Sequence, residues 1–181
     1  MSILLLPLFI LSLIGLFLSI ISHLAGLIGY EAPLGSASWW LHVGIFVIWF
    51  PAVLCAQRLV KDFKQKDFWK AALRGCPPWM RYVTYGFFIY AMINFILFIG
   101  ATPAKGSHHA SDAPPEVIRG FSGHWMAFYS VGAAILYSSI QVAKRDPARR
   151  CNSGHPVGPA AKFCESCGAP VPDDNRSAPE W

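Results

Sequence analysis

Four side chains near the C-terminus have the types and spacing of a metal site: Cys151, His155, Cys164 and Cys167. They come as two short pairs, Cys-x3-His and Cys-x2-Cys, separated by eight residues. Zinc takes four nitrogen or sulfur ligands in a tetrahedron, and two such pairs joined by a hairpin supply them. Gly154 and Gly168 offer permissive backbone just before His155 and just after Cys167. With only Val157, Phe163 and Val171 as apolar anchors, a module of about twenty residues cannot build a core, so the metal must hold it together. A redox Cys-x-x-Cys is the competing reading, but it leaves Cys151 and His155 without a role. Four protein ligands also close the coordination sphere, which argues for a structural ion and against catalysis at it.

A second set of candidates is His23, His42 and His124, with His108 and His109 expected on the same outer side of the topology. At 3.6 residues per turn, Ser12, Gly15, Ser19, Ser22, His23 and Gly26 fall on one helical face. Ala127, Ser130, Ala134, Ser138 and Gln141 form a similar stripe, with His124 at its edge. Small, weakly polar stripes are the packing faces of membrane helices, so His23 is expected to point inward. Gly44, Pro51 and Cys55 lie opposite His42, and either face of that helix could be the inner one. Three histidines at comparable depth could ligate haem, or copper or zinc, or sense protons. The plainer reading is that each hydrogen-bonds headgroups, water or a backbone carbonyl. Asn94 reads as an interhelical hydrogen bond and Cys55 as packing.

The elements that must position these groups are membrane spans. Of 181 residues, 54% are hydrophobic and only 14% charged, whereas a soluble domain carries about a quarter charged residues. The apolar residues form long blocks at about 3–28, 39–60, 82–101 and 121–143. Runs of about 20 residues cross the ~30 Å hydrocarbon core. The first block has no basic n-region and poor cleavage chemistry near His23 to Ala25, so it reads as an uncleaved span rather than a signal peptide. Trp39 and Trp40 form an interfacial anchor, and Pro51 should kink the second span or break one backbone hydrogen bond.

The net charge of +5 is a topology signal rather than a nucleic-acid footprint. Arg58, Lys61, Lys64, Lys66, Lys70, Arg74 and Arg81 lie between the second and third spans, and Lys144, Arg145, Arg149, Arg150, Lys162 and Arg176 after the fourth. Only Lys105 and Arg119 fall on the other side, with Glu31, Asp112 and Glu116. The positive-inside rule then puts both termini in the cytosol and the five histidines other than His155 on the outer side. Phe63, Phe68, Trp69, Leu73, Trp79 and Met80 are interleaved with the basic loop, which reads as a short helix in the headgroup region and a surface for anionic lipid or a partner. Gly75-Cys76-Pro77-Pro78 should break it before the third span. The stretch from Thr102 to Arg119 is expected to be a mobile loop, and residues 172–181 a disordered tail.

The stretch Ala161-Lys162-Phe163-Cys164-Glu165-Ser166-Cys167-Gly168-Ala169 resembles the strand and knuckle of the zinc-ribbon family, and Cys151-Asn152-Ser153-Gly154-His155 resembles a variant of its first knuckle with His in place of Cys. Asn152 stands where the family commonly has Pro. The resemblance covers about residues 150–171 and implies structural zinc and an adaptor role, with no reaction. The whole chain also resembles small four-span bacterial membrane proteins with such a tail.

The expectation is therefore an all-α membrane protein: a four-transmembrane-helix bundle over residues 1–145 and a zinc ribbon over 146–171, in the inner membrane. Its expected role is a scaffold or adaptor, with the lipid bilayer and a protein partner or a second copy as its partners. A haem- or metal-binding protein of electron transfer or metal handling, working through His23, His42 and His124, is the alternative. No nucleophile–base pattern, phosphate loop or cluster of intramembrane carboxylates points to an enzyme.

Overall fold

The structure, a computed structural model, describes residues 2–30, 33–61, 63–101, 115–145, 151–155, 157 and 161–171. The helices are α1 (Ser2–Leu27), α2 (Trp39–Val60), the short α3 (Phe68–Ala72), α4 (Pro78–Ala101) and α5 (Pro115–Arg145). Four of them, all but α3, are long and apolar enough to cross a membrane. The chain separates into two compact units, Met1–Gln141 and Val142–Trp181. His108, His109, Glu31, Asp112 and the 172–181 tail lie outside the described residues.

Each long helix is delimited by recognisable chemistry. After α1, Gly29 adopts a left-handed φ of 77°, and the Tyr30 N–H reaches back to the Ala25 carbonyl at 2.9 Å. This is the glycine-terminated cap that satisfies the last carbonyls of a helix. Helix α2 is continuous through Pro51, which, having no N–H, removes one bond from the ladder without ending it. Helices α4 and α5 both open on proline, whose missing N–H costs nothing in a first turn. For that reason α4 starts at Pro78 rather than near residue 82. Likewise α5 starts at Pro115, so the expected loop to Arg119 is shorter by a helical turn.

The centre of the first unit is α5. Over its apolar window 61% of residues are buried, against 17%, 33% and 17% for α1, α2 and α4, although it is the least apolar of the four. Lipid-facing surfaces must be apolar, while the inside of a bundle needs small or hydrogen-bonding residues that let helices approach. Ser122, Trp125, Ala134, Leu136 and Ser138 of α5 are fully buried. So are Ser12, Ser19 and Ser22 of α1, the face expected from sequence. The inner face of α2 is set by Leu41, Ile45, Ile48, Ala52 and Cys55. Tyr129 of α5 fits between α1 and α2 because Gly15 and Gly44 have no side chain to meet its ring. Its hydroxyl donates to the Leu41 carbonyl at 2.8 Å.

The basic loop carries the short helix expected of it, α3, and the expected break before Pro78, but it packs differently. It does not simply lie along a surface: Leu73 and Cys76 are buried, and the chain folds onto α5. The Gly75 N–H donates to Ser138 Oγ at 3.0 Å, and Cys76 Sγ donates to the Ala134 carbonyl at 3.1 Å. A Cβ on Gly75 would come within 2.5 Å of the Ser138 carbonyl oxygen, so only glycine permits this approach. Two of the loop's cations are consumed by the fold. Arg74 donates to the Leu59 carbonyl at 3.0 Å and sits over the Phe63 ring. Arg81 caps the carbonyls of Cys76 and Arg74. Lys61, Lys64, Lys66 and Lys70 stay exposed.

Candidate metal centre

Two tight turns build the site in the second unit. In the first, the Cys151 N–H donates to the His155 carbonyl at 3.0 Å and the Gly154 N–H to the Cys151 carbonyl at 2.8 Å. Gly154 reaches a φ of 81° to close it. In the second, the Gly168 N–H donates to the Cys164 carbonyl at 2.8 Å and the Cys164 N–H to the Ala169 carbonyl at 2.9 Å, with Gly168 at a φ of 68°. An antiparallel bridge between Phe163 and Pro170 and a Val171 N–H to Lys162 carbonyl bond at 2.9 Å make this turn the tip of a small hairpin. Left-handed φ values of this size are the ordinary province of glycine, as the sequence implied.

The two turns bring Cys151, His155, Cys164 and Cys167 together, one ligand atom from each, all within 4.8 Å of one another. Cys151 Sγ lies 3.6 Å from Cys167 Sγ and 3.7 Å from His155 Nδ1. A tetrahedral ion with metal–sulfur bonds of about 2.3 Å holds its sulfurs about 3.8 Å apart, and these two separations are close to that. They are far longer than the roughly 2.05 Å of a disulfide, and all three cysteines are free thiols. The group can hold a metal ion. Burial disfavours the Cys151 thiolate, but the N–H groups of His155 and Ser153 and the neighbouring thiols outweigh it and bring the thiol down to about 6. Cys167 goes the other way: the Ala169 N–H favours its thiolate, but the sulfurs of Cys164 and Cys151 together push it up. Three sulfurs this close compete for charge, and a bound cation removes that competition.

Cys151, Cys164 and Val171 are buried, whereas Phe163 is 64% exposed. Phe163 is therefore not the anchor expected from its apolar character. Phe163 is left in solvent beside buried Cys164, as neighbouring residues of an extended chain point to opposite sides.

The helical histidines have separate fates. His23 is 3% exposed, with Nδ1 2.8 Å from Ser122 Oγ and Nε2 2.5 Å from Tyr90 Oη, so both ring nitrogens are used. His42 Nδ1 accepts from Trp125 Nε1 at 3.1 Å, and its ring stands edge-on among Trp39, Phe46, Phe121 and Trp125. His124 Nδ1 lies 3.3 Å from the Gly120 carbonyl of its own helix and edge-on to Phe95 at 4.4 Å. All three meet α5 within one turn, between Ser122 and Trp125. Among the described residues, however, the group of three or more metal-type ligands is the one in the tail. Asn94 donates to the carbonyls of Arg119 and Gly120 at 3.1 and 3.2 Å, the interhelical bond expected of it. Sequence reasoning missed Tyr90, Ser122 and Trp125. The pairing of a polar tip with a buried histidine was the signal, but nothing in one dimension says which tip meets which ring. Compared with protein-family models, curated proteins and solved structures, the chain matches none.

Proposed function

We propose that this protein is an integral membrane scaffold whose cytosolic tail carries a structural zinc ion and recruits a protein partner. The observation that carries this reading is the closed Cys3His donor set at tetrahedral spacing. Sulfur-rich tetrahedral sets suit zinc, and a sphere filled by four protein ligands suits structure rather than catalysis. The hairpin and its two glycine-closed turns also support a zinc-ribbon-like module. The crowding of lysines and arginines around the α2–α4 connection and after α5 supports a cytosolic placement of both termini, where thiols stay reduced. Exposed Phe163 beside ligand Cys164 supports recruitment, because a small metal module that leaves a large ring in solvent has a surface to offer. Both ring nitrogens of His23 are already hydrogen-bonded, which supports the tail rather than that histidine as the metal site.

The test separates the two halves of the reading. Elemental analysis of the purified protein should find about one zinc per chain, lost in Cys164→Ser. Phe163→Ser should keep the zinc but lose the protein that co-purifies with the wild type. Iron, or no metal at all, would refute the zinc assignment. Unchanged co-purification in both variants would refute recruitment through the tail.

A further inference from the structure

Away from the tail, one buried polar group is joined to a cavity. Between α1 and α4 lies a cleft of about 460 Å³. Its walls are Ile20 and Leu24 of α1 and Val83, Gly86 and Phe87 of α4, and Met126 of α5 is its floor. The surface is almost wholly apolar, and its two polar members are His23 and Tyr90. These two are the start of a chain of hydrogen bonds. Tyr90 Oη meets His23 Nε2, His23 Nδ1 meets Ser122 Oγ, and Ser122 Oγ reaches the Arg119 carbonyl at 3.2 Å.

A hydroxyl has one proton and an uncharged imidazole has one, so the chain has two self-consistent orientations. In the first, Ser122 donates to the Arg119 carbonyl, His23 donates to Ser122 and Tyr90 donates to His23, leaving the Tyr90 oxygen to accept. In the second, Ser122 donates to His23, His23 donates to Tyr90, and the Tyr90 O–H is left over to donate. Tyr90 is 39% exposed while His23 and Ser122 are buried, so Tyr90 is the end that meets whatever enters. A purely structural staple between helices would not need a half-open end beside a cavity. Gly86 keeps the opening wide: a Cβ there would meet nothing within 4 Å.

The geometry points to a membrane-embedded binding site for an uncharged, lipid-soluble molecule headed by a ring carbonyl or hydroxyl, such as a quinone or quinol, hydrogen-bonded to Tyr90. A charged headgroup cannot sit there, because the cleft offers no countercharge and is flanked by helices that span the bilayer. A carbonyl head takes the second orientation of the chain and a hydroxyl head takes the first. Phe87 and the Tyr90 ring supply flat walls for a ring, and the open side of the cleft leaves an apolar tail among the lipids.

The probe is a decyl-substituted benzoquinone, added to the full-length protein in lipid nanodiscs and followed by native mass spectrometry and by the shift in thermal unfolding. The wild type should bind it saturably at one per chain. Tyr90→Phe keeps the ring and should bind about tenfold more weakly, the worth of one hydrogen bond. Gly86→Leu fills the cleft and should abolish binding while leaving the ligand-free melting temperature in place, and Val83→Phe serves if that variant does not fold. Competition by dodecane as strong as by the quinone, or full affinity in Tyr90→Phe, would show an ordinary acyl-chain groove and overturn the assignment. Binding undiminished in Gly86→Leu would move the quinone elsewhere. A dimer that takes up no quinone would show that a second copy covers the cleft, and would overturn it equally.

Discussion

The two units of this chain are stabilised in opposite ways. In the helical unit many small contributions are spread over α5 and its neighbours: glycine-allowed approaches at Tyr129, serines buried on α1 and α5, a hydrogen bond from Tyr129 and two from Asn94. In the tail almost everything rests on four ligand atoms and two glycine-closed turns. The difference follows from size and surroundings. A helix bundle in lipid cannot draw on water exclusion between its helices and depends on close packing and polar contacts. A hairpin of this length has no interior to pack and, on the function proposed above, depends on a metal. The first design degrades gradually under mutation, whereas the second fails at once.

The sharpest test of this contrast is ligand removal. Cys164→Ser or Cys167→Ser should abolish metal binding and, with it, a structural contribution on the order of 10 kcal/mol. The tail should become sensitive to protease while the helical circular-dichroism signal and its melt stay in place. Loss of helical stability along with the metal would break the comparison.

Trp125→Ala comes next. Trp125 is fully buried and holds His42, so its removal should cost on the order of 3 kcal/mol in the unfolding of the helical unit. Metal content should be untouched.

Cys76 provides a pH test with a definite sign. Burial, only partly opposed by the Arg81 charge, raises its thiol from 9.0 to about 11. The unfolded chain therefore loses this proton first. The contribution is complete below about pH 9 and lost as the pH rises to about 11, a change on the order of 3 kcal/mol. Cys76→Ala should flatten that alkaline limb of the stability profile. At pH 8 Cys76 should resist maleimide, while the tail cysteines react as soon as a chelator is added. Equal labelling of all of them without chelator would contradict both halves of the comparison.

The smallest effect is expected at Asn94. Asn94→Leu replaces bonds to two α5 carbonyls and should cost about 0.6 kcal/mol, measured by unfolding in mixed micelles. A loss of several kcal/mol would mean that the helical unit is concentrated on one contact, as the tail is.

Much of this was legible in the residues alone. The four long apolar helices follow from the length of apolar blocks, and their ends were off by more than two residues only where a proline opens the helix, at Pro78 and Pro115. The four tail ligands were legible because their chemistry is local: each pair sits within one turn, and Gly154 and Gly168 mark the turns. The small-residue faces of α1 and α5 were legible from helical periodicity. The basic loop was legible only in its short helix and in the break before Pro78. Its composition suggested a membrane surface, yet Arg74 turned inward to a carbonyl in the last turn of α2 and Arg81 to the carbonyls of Cys76 and Arg74. Phe163 was misjudged for a related reason, since apolar character does not fix which side of a hairpin a residue takes.

Sequence by itself determined the number of long apolar helices, the four tail residues that could hold a metal ion and the residues available for polar contact. Each of these depends on composition or on neighbours a few positions away. Only tertiary structure decided that α5 is the central helix, that His23 belongs to Tyr90 and Ser122 while His42 belongs to Trp125, and that a cleft opens beside Tyr90. Those outcomes depend on which helix faces meet. In a bilayer nearly every face is apolar, so the hydrophobic pattern that sorts inside from outside in water carries little of that information.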